Sequence, residues 1–278
     1  MSRPGAPPLE AVRGALHRLF IDSAGTDLRL EDEKKCVEVR ALLGELGRVR
    51  KGGLLVDAAA GKAPVGLIAA ELIGVDRLVV IERDEGRAAA CRAAVERLER
   101  RAEVRIRTGA AGDPALWPSL PDAVVALHTC GPAADQIIDA AVRARARFLL
   151  LVPCCYGREI PFAHVAAEAV ARADVCRHAE IRRRMETALV DAERTLRLEA
   201  GGYRVEVVQF VPPTVTPHNL LWRARWAGEP VAMARAKRQK DALFARVSAA
   251  SVADPSPIGT GCANTSESGR PRGWPSIL

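Results

Sequence analysis

Long apolar runs are missing from this chain: none approaches the roughly 20 residues of a membrane-spanning helix, and the start MSRPGAPPLE lacks the apolar stretch of a secretion signal. A cytoplasmic location is therefore the expectation. Aromatic residues are also few, at 4%, so the core has to be aliphatic. The seven cysteines are odd in number and show no framework-like spacing, which argues against a disulfide scaffold and for reduced thiols. No sequence repeat is evident. What is present, in 278 residues with 49% hydrophobic and 27% charged side chains, suffices for one α/β core and excludes wholesale disorder. The net charge of +7 favours an acidic partner, RNA included, although an Arg- and Ala-rich composition also reflects a GC-rich genome.

Two stretches of helical periodicity, Leu9 to Phe20 and about Leu30 to Leu46, precede the first buried strand at Leu54 to Asp57. From Val65 the pattern alternates helix (65–73), strand (77–81), helix (85–100), strand (103–107), strand (123–127), helix (133–144) and strand (148–152). That alternation predicts βαβ units with right-handed crossovers and a parallel sheet. A long helical region over 162–199, broken near Val175, leads to strands at 203–211 and 219–226. The loop PPTVTPH between them is too short for a crossover helix, so this last pair should be antiparallel. The expected organisation is a helical segment over 1–50, a catalytic domain over 51–228, a basic helix over 229–252 and a disordered tail over 253–278.

Neither of two familiar phosphate-binding patterns is complete. The turn after the first strand, Asp57-Ala58-Ala59-Ala60-Gly61-Lys62-Ala63, lacks the full G-x-G-x-x-G, and its Gly61-Lys62-Ala63 lacks the Ser or Thr of a P-loop. Its small residues still permit close approach of a ligand at the carboxyl edge of a parallel sheet, where such ligands bind. Glu82, ending the second strand 21 residues after Gly61, suits the two ribose hydroxyls of an adenosine. A sulfonium cofactor has no phosphates to cradle and tolerates these departures. Asp113, after the third strand, is a candidate for the adenine amino group.

The segments VDAAAGKAPVG, VVIERDE, ALHTCGPAAD and LLVPCCY together resemble a class I S-adenosylmethionine-dependent methyltransferase-domain family, in which His-x-Cys-Gly follows the fourth strand and Pro-Cys-Cys the fifth. Eukaryotic tRNA 2′-O-methyltransferases of the acceptor stem and several methyltransferase-like proteins are related members. The similarity spans about residues 33–226. It implies a Rossmann-like α/β fold with a seven-stranded, mostly parallel sheet and an antiparallel C-terminal hairpin, and S-adenosyl-L-methionine as cofactor. Ala59 and Ala63 stand where the family's D-x-G-x-G-x-G turn has glycine.

Around the transferred methyl, His128 and Asp135 are the candidate bases, and His128 also borders the cofactor. Equally open is a bland reading in which His128 packs and Asp135 interacts with a helix N-terminus. Cys130, Cys154, Cys155 and Tyr156 are candidates for the substrate pocket, as are His218 and Asn219 if the sixth strand is parallel to the first five. Cys130, Cys154 and Cys155 follow neighbouring strands and could meet in space with His128, a thiolate and imidazole set that suits zinc, but adjacent Cys154-Cys155 lacks the usual two-residue spacing, and no metal is assigned. Arg182 to Arg184 and the helix residues Arg235, Lys237, Arg238 and Lys240 are candidates for phosphate contact. The expected activity is methyl transfer, with RNA, tRNA included, as acceptor. A protein or small-molecule acceptor, or a non-catalytic module binding cofactor or RNA, is the alternative.

Overall fold

The structure is a computed structural model that describes residues 5–21, 26–47, 53–174 and 176–249. The tail expected over 253–278 lies outside the described residues. Seven strands, β1 (Leu54–Ala58), β2 (Arg77–Glu82), β3 (Glu103–Thr108), β4 (Ala123–Thr129), β5 (Phe148–Pro153), β6 (Tyr203–Gln209) and β7 (Leu220–Trp226), form one sheet in the order β3-β2-β1-β4-β5-β7-β6. Strands β1 to β5 pair in parallel, while β7 is antiparallel to both β5 and β6. Strand β6 therefore points the same way as β1 to β5, and the loop after it returns to the carboxyl edge. The order reverses between β1 and β4, which opens a crevice there.

The helices are α1 (Leu9–Phe20), α2 (Leu30–Leu46), α3 (Pro64–Leu72), α4 (Glu85–Val95), α5 (Ala133–Ala144), α6 (Ala163–Arg172), α7 (Ala179–Ala200) and α8 (Pro230–Ala249). Alternate residues of each strand feed two aliphatic layers. Leu55, Leu78, Val80 and Val125 face Val12, Leu16, Val39 and Leu42 of α1 and α2, so the N-terminal helices share the core of the sheet. Val56, Ile81, Val124 and Leu151 pack on the other face with Ile137, Ile138 and Leu198 of α5 and α7. Helix α4 stops five residues short of its expected end, because 96–101 carry one apolar side chain among charged ones and leave nothing to bury but Leu98.

Candidate functional site

At the end of β1, Asp57 is fully buried and accepts a hydrogen bond from the Gly66 N–H at 2.8 Å, which ties the strand to the first turn of α3. That approach requires glycine: a Cβ at Gly66 would lie 2.9 Å from both the Asp57 carboxylate and Leu78. Burial pushes the Asp57 carboxyl up to about 7, opposed by the Gly66 bond and reinforced by the nearby charge of Glu82. The turn that follows adopts left-handed backbone at three alternate residues, Ala59 (φ 52), Gly61 (φ 60) and Ala63 (φ 57). The two alanines thus preserve the conformation for which the related turn uses glycine. An Ala in this region is strained by roughly 1–2 kcal/mol.

Part of that strain should be recoverable. Ala59→Gly is expected to stabilise the protein by about 0.5–1 kcal/mol, the backbone relief less the extra unfolded-state freedom of glycine. Ala63→Gly should come out near neutral, because Ala63 is wholly buried and its methyl contributes about 0.8 kcal/mol of burial. Urea unfolding checks both, and a lower midpoint for Ala59→Gly would contradict the strain account.

Glu82 ends β2 only 3% exposed. Its Oε2 accepts the Gly61 N–H at 2.7 Å and its Oε1 the Asp84 N–H at 3.0 Å, with the Arg87 guanidinium 3.9 Å away. Each oxygen keeps a lone pair for a further donor. It borders a cavity of about 220 Å³ lined also by Ala59, Gly109, Ala111, His128 and Cys130. A second cavity, about 360 Å³, is bordered by Asp32, Lys35, Gly61, Lys62 and again Ala59 and His128. Gly61 has nothing within 4 Å of where a side chain would point. Acceptors in one lobe, open backbone and a lysine in the other fit an adenosine bearing a charged tail. Asp113 is exposed and caps the short 3₁₀ turn Pro114–Leu116 through the Ala115 N–H at 2.9 Å, and Ala110 and Ala111 line the cavity where it was expected.

His128 stands where the two lobes meet. The β4 to β5 register shifts between Leu127 and Thr129, and His128 takes a left-handed φ of 57 within that bulge. Such an irregularity re-aims a side chain and is a mark of functional positions. The imidazole Nε2 lies 2.6 Å from Glu38 Oε1, and Glu38 Oε2 accepts from Lys35 Nζ at 2.8 Å. Burial raises the Glu38 carboxyl, but the His128 and Lys35 bonds outweigh it and hold the group below its ordinary value. Glu38 was not among the expected site residues. Its signal was there: it lies on the α2 face of Leu42, in an otherwise apolar stripe that contains Val39, Leu43 and Leu46. His218, on the exposed loop after β6, is lowered by partial burial and by His128, and it lines neither cavity.

The other expected residues are placed differently. Asp135, in the first turn of α5, accepts from Arg194 Nη2 at 2.8 Å and Nε at 3.4 Å, and both side chains are buried. It joins α5 to α7 and does not border either cavity. Arg194 also stacks over the Tyr156 ring at 5.3 Å, while the Tyr156 hydroxyl donates to Asp191 at 2.8 Å. Burial pushes Tyr156 up and Asp191 up to about 6, so this hydroxyl is a donor fixed in a packing network. Asn219 is buried and donates to the Val211 carbonyl at 3.0 Å, closing the Pro-rich loop. Cys130, Cys154 and Cys155 do come together, with Sγ to Sγ separations of 3.0 to 3.4 Å.

Residues 33–159, just under half of the chain, match a family model described as a methyltransferase domain. A glutathione S-transferase C-terminal domain-containing protein of Xenopus laevis is 32% identical over 116 residues, covering 34% of this chain and 19% of that protein. Its Drosophila melanogaster homologue is 28% identical over 125 residues, 36% of this chain and 21% of that one. The chain thus spans about a fifth of the length of these curated relatives. Among solved structures, the M1A22 tRNA methyltransferase of B. subtilis superposes with a TM-score of 0.44 at 14% identity, covering 73% of this chain and 68% of that one. The strand order and the turn geometry accord with the methyltransferase-domain match over residues 33–159.

Proposed function

We propose that the chain methylates RNA, with tRNA the leading class, at a ribose hydroxyl or base nitrogen, and that His128 is the base. The observation that carries this reading is the 2.6 Å contact between His128 Nε2 and buried Glu38, at the junction of the two lobes. An ionised Glu38 accepts the Nε2 proton, which leaves Nδ1 as the free lone pair of a neutral imidazole. Glu82 would hold the ribose hydroxyls, the Gly109–Ala111 backbone the base, and the open turn at Gly61 and Lys62 the amino-acid tail. When bound, the sulfonium supplies an electrophilic methyl group. His128 Nδ1 takes the proton of the attacking hydroxyl, and Glu38 stabilises the imidazolium so formed. The bulge fixes the ring beside the turn, and such alignment contributes much of the rate in an in-line displacement.

The RNA assignment rests on charge and on where it lies. Helix α7 feeds the start of β6, which is parallel to β1, so α7 begins at the carboxyl edge. Its first turns expose Arg182, Arg183 and Arg184 on that edge. Helix α8 packs through buried Ala236 and leaves Arg235, Lys237 and Arg238 exposed.

Tritiated S-adenosylmethionine, the full chain, and RNA, protein and metabolite fractions from a strain lacking the gene test the proposal. Label is expected in RNA, and the triple variant R182E/R183E/R184E should raise KM for RNA roughly 10-fold at unchanged kcat. Label confined to protein or metabolites would overturn the RNA assignment. Failure to bind S-adenosylmethionine and S-adenosylhomocysteine by calorimetry would overturn methyl transfer itself.

A further inference from the structure

We propose that Cys130, Cys154 and Cys155 form a three-thiolate site for one zinc ion at the carboxyl edge of the sheet. Sequence spacing hides this site, because two of its residues are adjacent and the third is 24 positions earlier. The fold closes the triangle: Cys130 follows β4, Cys154 and Cys155 follow β5, and these strands are parallel neighbours. Their sulfurs stand 3.0, 3.3 and 3.4 Å apart, nearer than the van der Waals contact of free thiols. No other group of three or more His, Cys, Asp or Glu among the described residues converges in this way.

The chemistry and size suit zinc. Tetrahedral Zn–S bonds of about 2.3 Å place sulfurs roughly 3.8 Å apart, so the triangle has to open by only about half an ångström. Cys154 is buried while Cys130 and Cys155 are exposed, which provides both a fixed base and a path from solvent. Three S–Zn bonds form as three thiol protons pass to solvent, and the site changes from neutral to a net charge of −1. The Glu159 carboxylate lies over both cysteine loops, since a Cβ at Gly131 would meet its Oε1 at 2.7 Å and one at Gly157 would overlap its Oε2. It does not join the three sulfurs as a ligand in this arrangement, and the fourth position is left to water. Because Cys130 also borders the Glu82 cavity, the ion would fix the wall beside His128. The site does not depend on the identity of the methyl acceptor.

Cobalt provides the test. The full chain, reduced and stripped with a chelator, is titrated with Co(II) and then Zn(II). A thiolate-to-cobalt charge-transfer band saturating at one equivalent and displaced by zinc is expected. Cys154→Ser and Cys155→Ser should each weaken binding more than about 100-fold, whereas C176S/C262S should bind as the wild type does. Cys155 is exposed, so its variant keeps the test sound if Cys154→Ser fails to fold. Absence of the band in a natively folded, reduced wild-type chain would overturn the proposal. So would full binding by C130S/C154S/C155S, or a Cys130–Cys154 disulfide formed in place of metal uptake.

Discussion

Replacing His128 with asparagine is expected to lower kcat for methyl transfer about 10²- to 10⁴-fold, the usual contribution of a positioned base. Asparagine is the informative substitute, because His128 sits at φ 57 and Asn tolerates left-handed backbone where Ala does not. Glu38 touches neither acceptor nor cofactor and acts as a positioning residue, so its variant needs a readout that mere packing would not move. Glu38→Gln removes the negative charge that stabilises the imidazolium formed in the reaction. The loss should therefore fall on kcat, roughly 10- to 100-fold, with KM for the acceptor within about twofold of wild type. The amide can also donate to Nε2 and so select the wrong tautomer, which adds to the loss. Binding of S-adenosylhomocysteine, followed by calorimetry, should persist in both variants. Activity within about twofold of wild type in both, or a Glu38→Gln loss that falls on KM and not on kcat, would remove the pair from the mechanism.

The sheet was readable in the sequence because its information is local and periodic. Val79, Val80 and Ile81 between turns read as a buried strand without knowledge of any partner, and the short PPTVTPH loop dictated the antiparallel end. The turn from Asp57 to Ala63 and the place of Glu82 at a strand end were readable for the same reason, since they occupy fixed places in one βαβ unit. What escaped depends on pairs that only the tertiary fold brings together. Glu38 and His128 are 90 residues apart, and Asp135 and Arg194 are 59 apart. Nothing in α5 alone shows that an acidic residue in its first turn looks toward α7 and not toward the crevice. The bulge at His128 is equally invisible, because the sequence pattern ends the strand at Leu127 and only the register against β5 exposes the shift. That the three cysteines follow neighbouring strands was readable, but the closure of their sulfurs to 3.0–3.4 Å, without His128 among them, was not.

The Asp135 to Arg194 pair should show its role in stability and not in chemistry. Arg194 is 0% exposed, with Asp135 at 2.8 Å and Asp191 at 3.9 Å as its charged neighbours. Asp135→Ala would leave a guanidinium buried beside one distant carboxylate, and breaking a buried pair from one side costs about 3–5 kcal/mol. In a chain of this size that is a fall in Tm of roughly 6–20 °C. Arg194→Met should cost about as much, since it leaves Asp135 only the Arg197 guanidinium at 3.6 Å and removes the cation that stacks on Tyr156. The double variant D135L/R194M, which removes both charges and keeps apolar volume, should recover most of the loss, because a buried ion pair and a hydrophobic pair are often nearly equivalent. Thermal and urea unfolding of the four proteins complete the cycle. A coupling near zero, with both single variants within about 1 kcal/mol of wild type, would show that the contact carries no structural load. An unchanged Tm with kcat lost in Asp135→Asn would instead return Asp135 to the reaction. The pair matters to the site through Tyr156, which follows Cys155 and is held by Arg194 and Asp191 together. Loosening α7 therefore loosens the loop after β5, and with it the wall that faces His128.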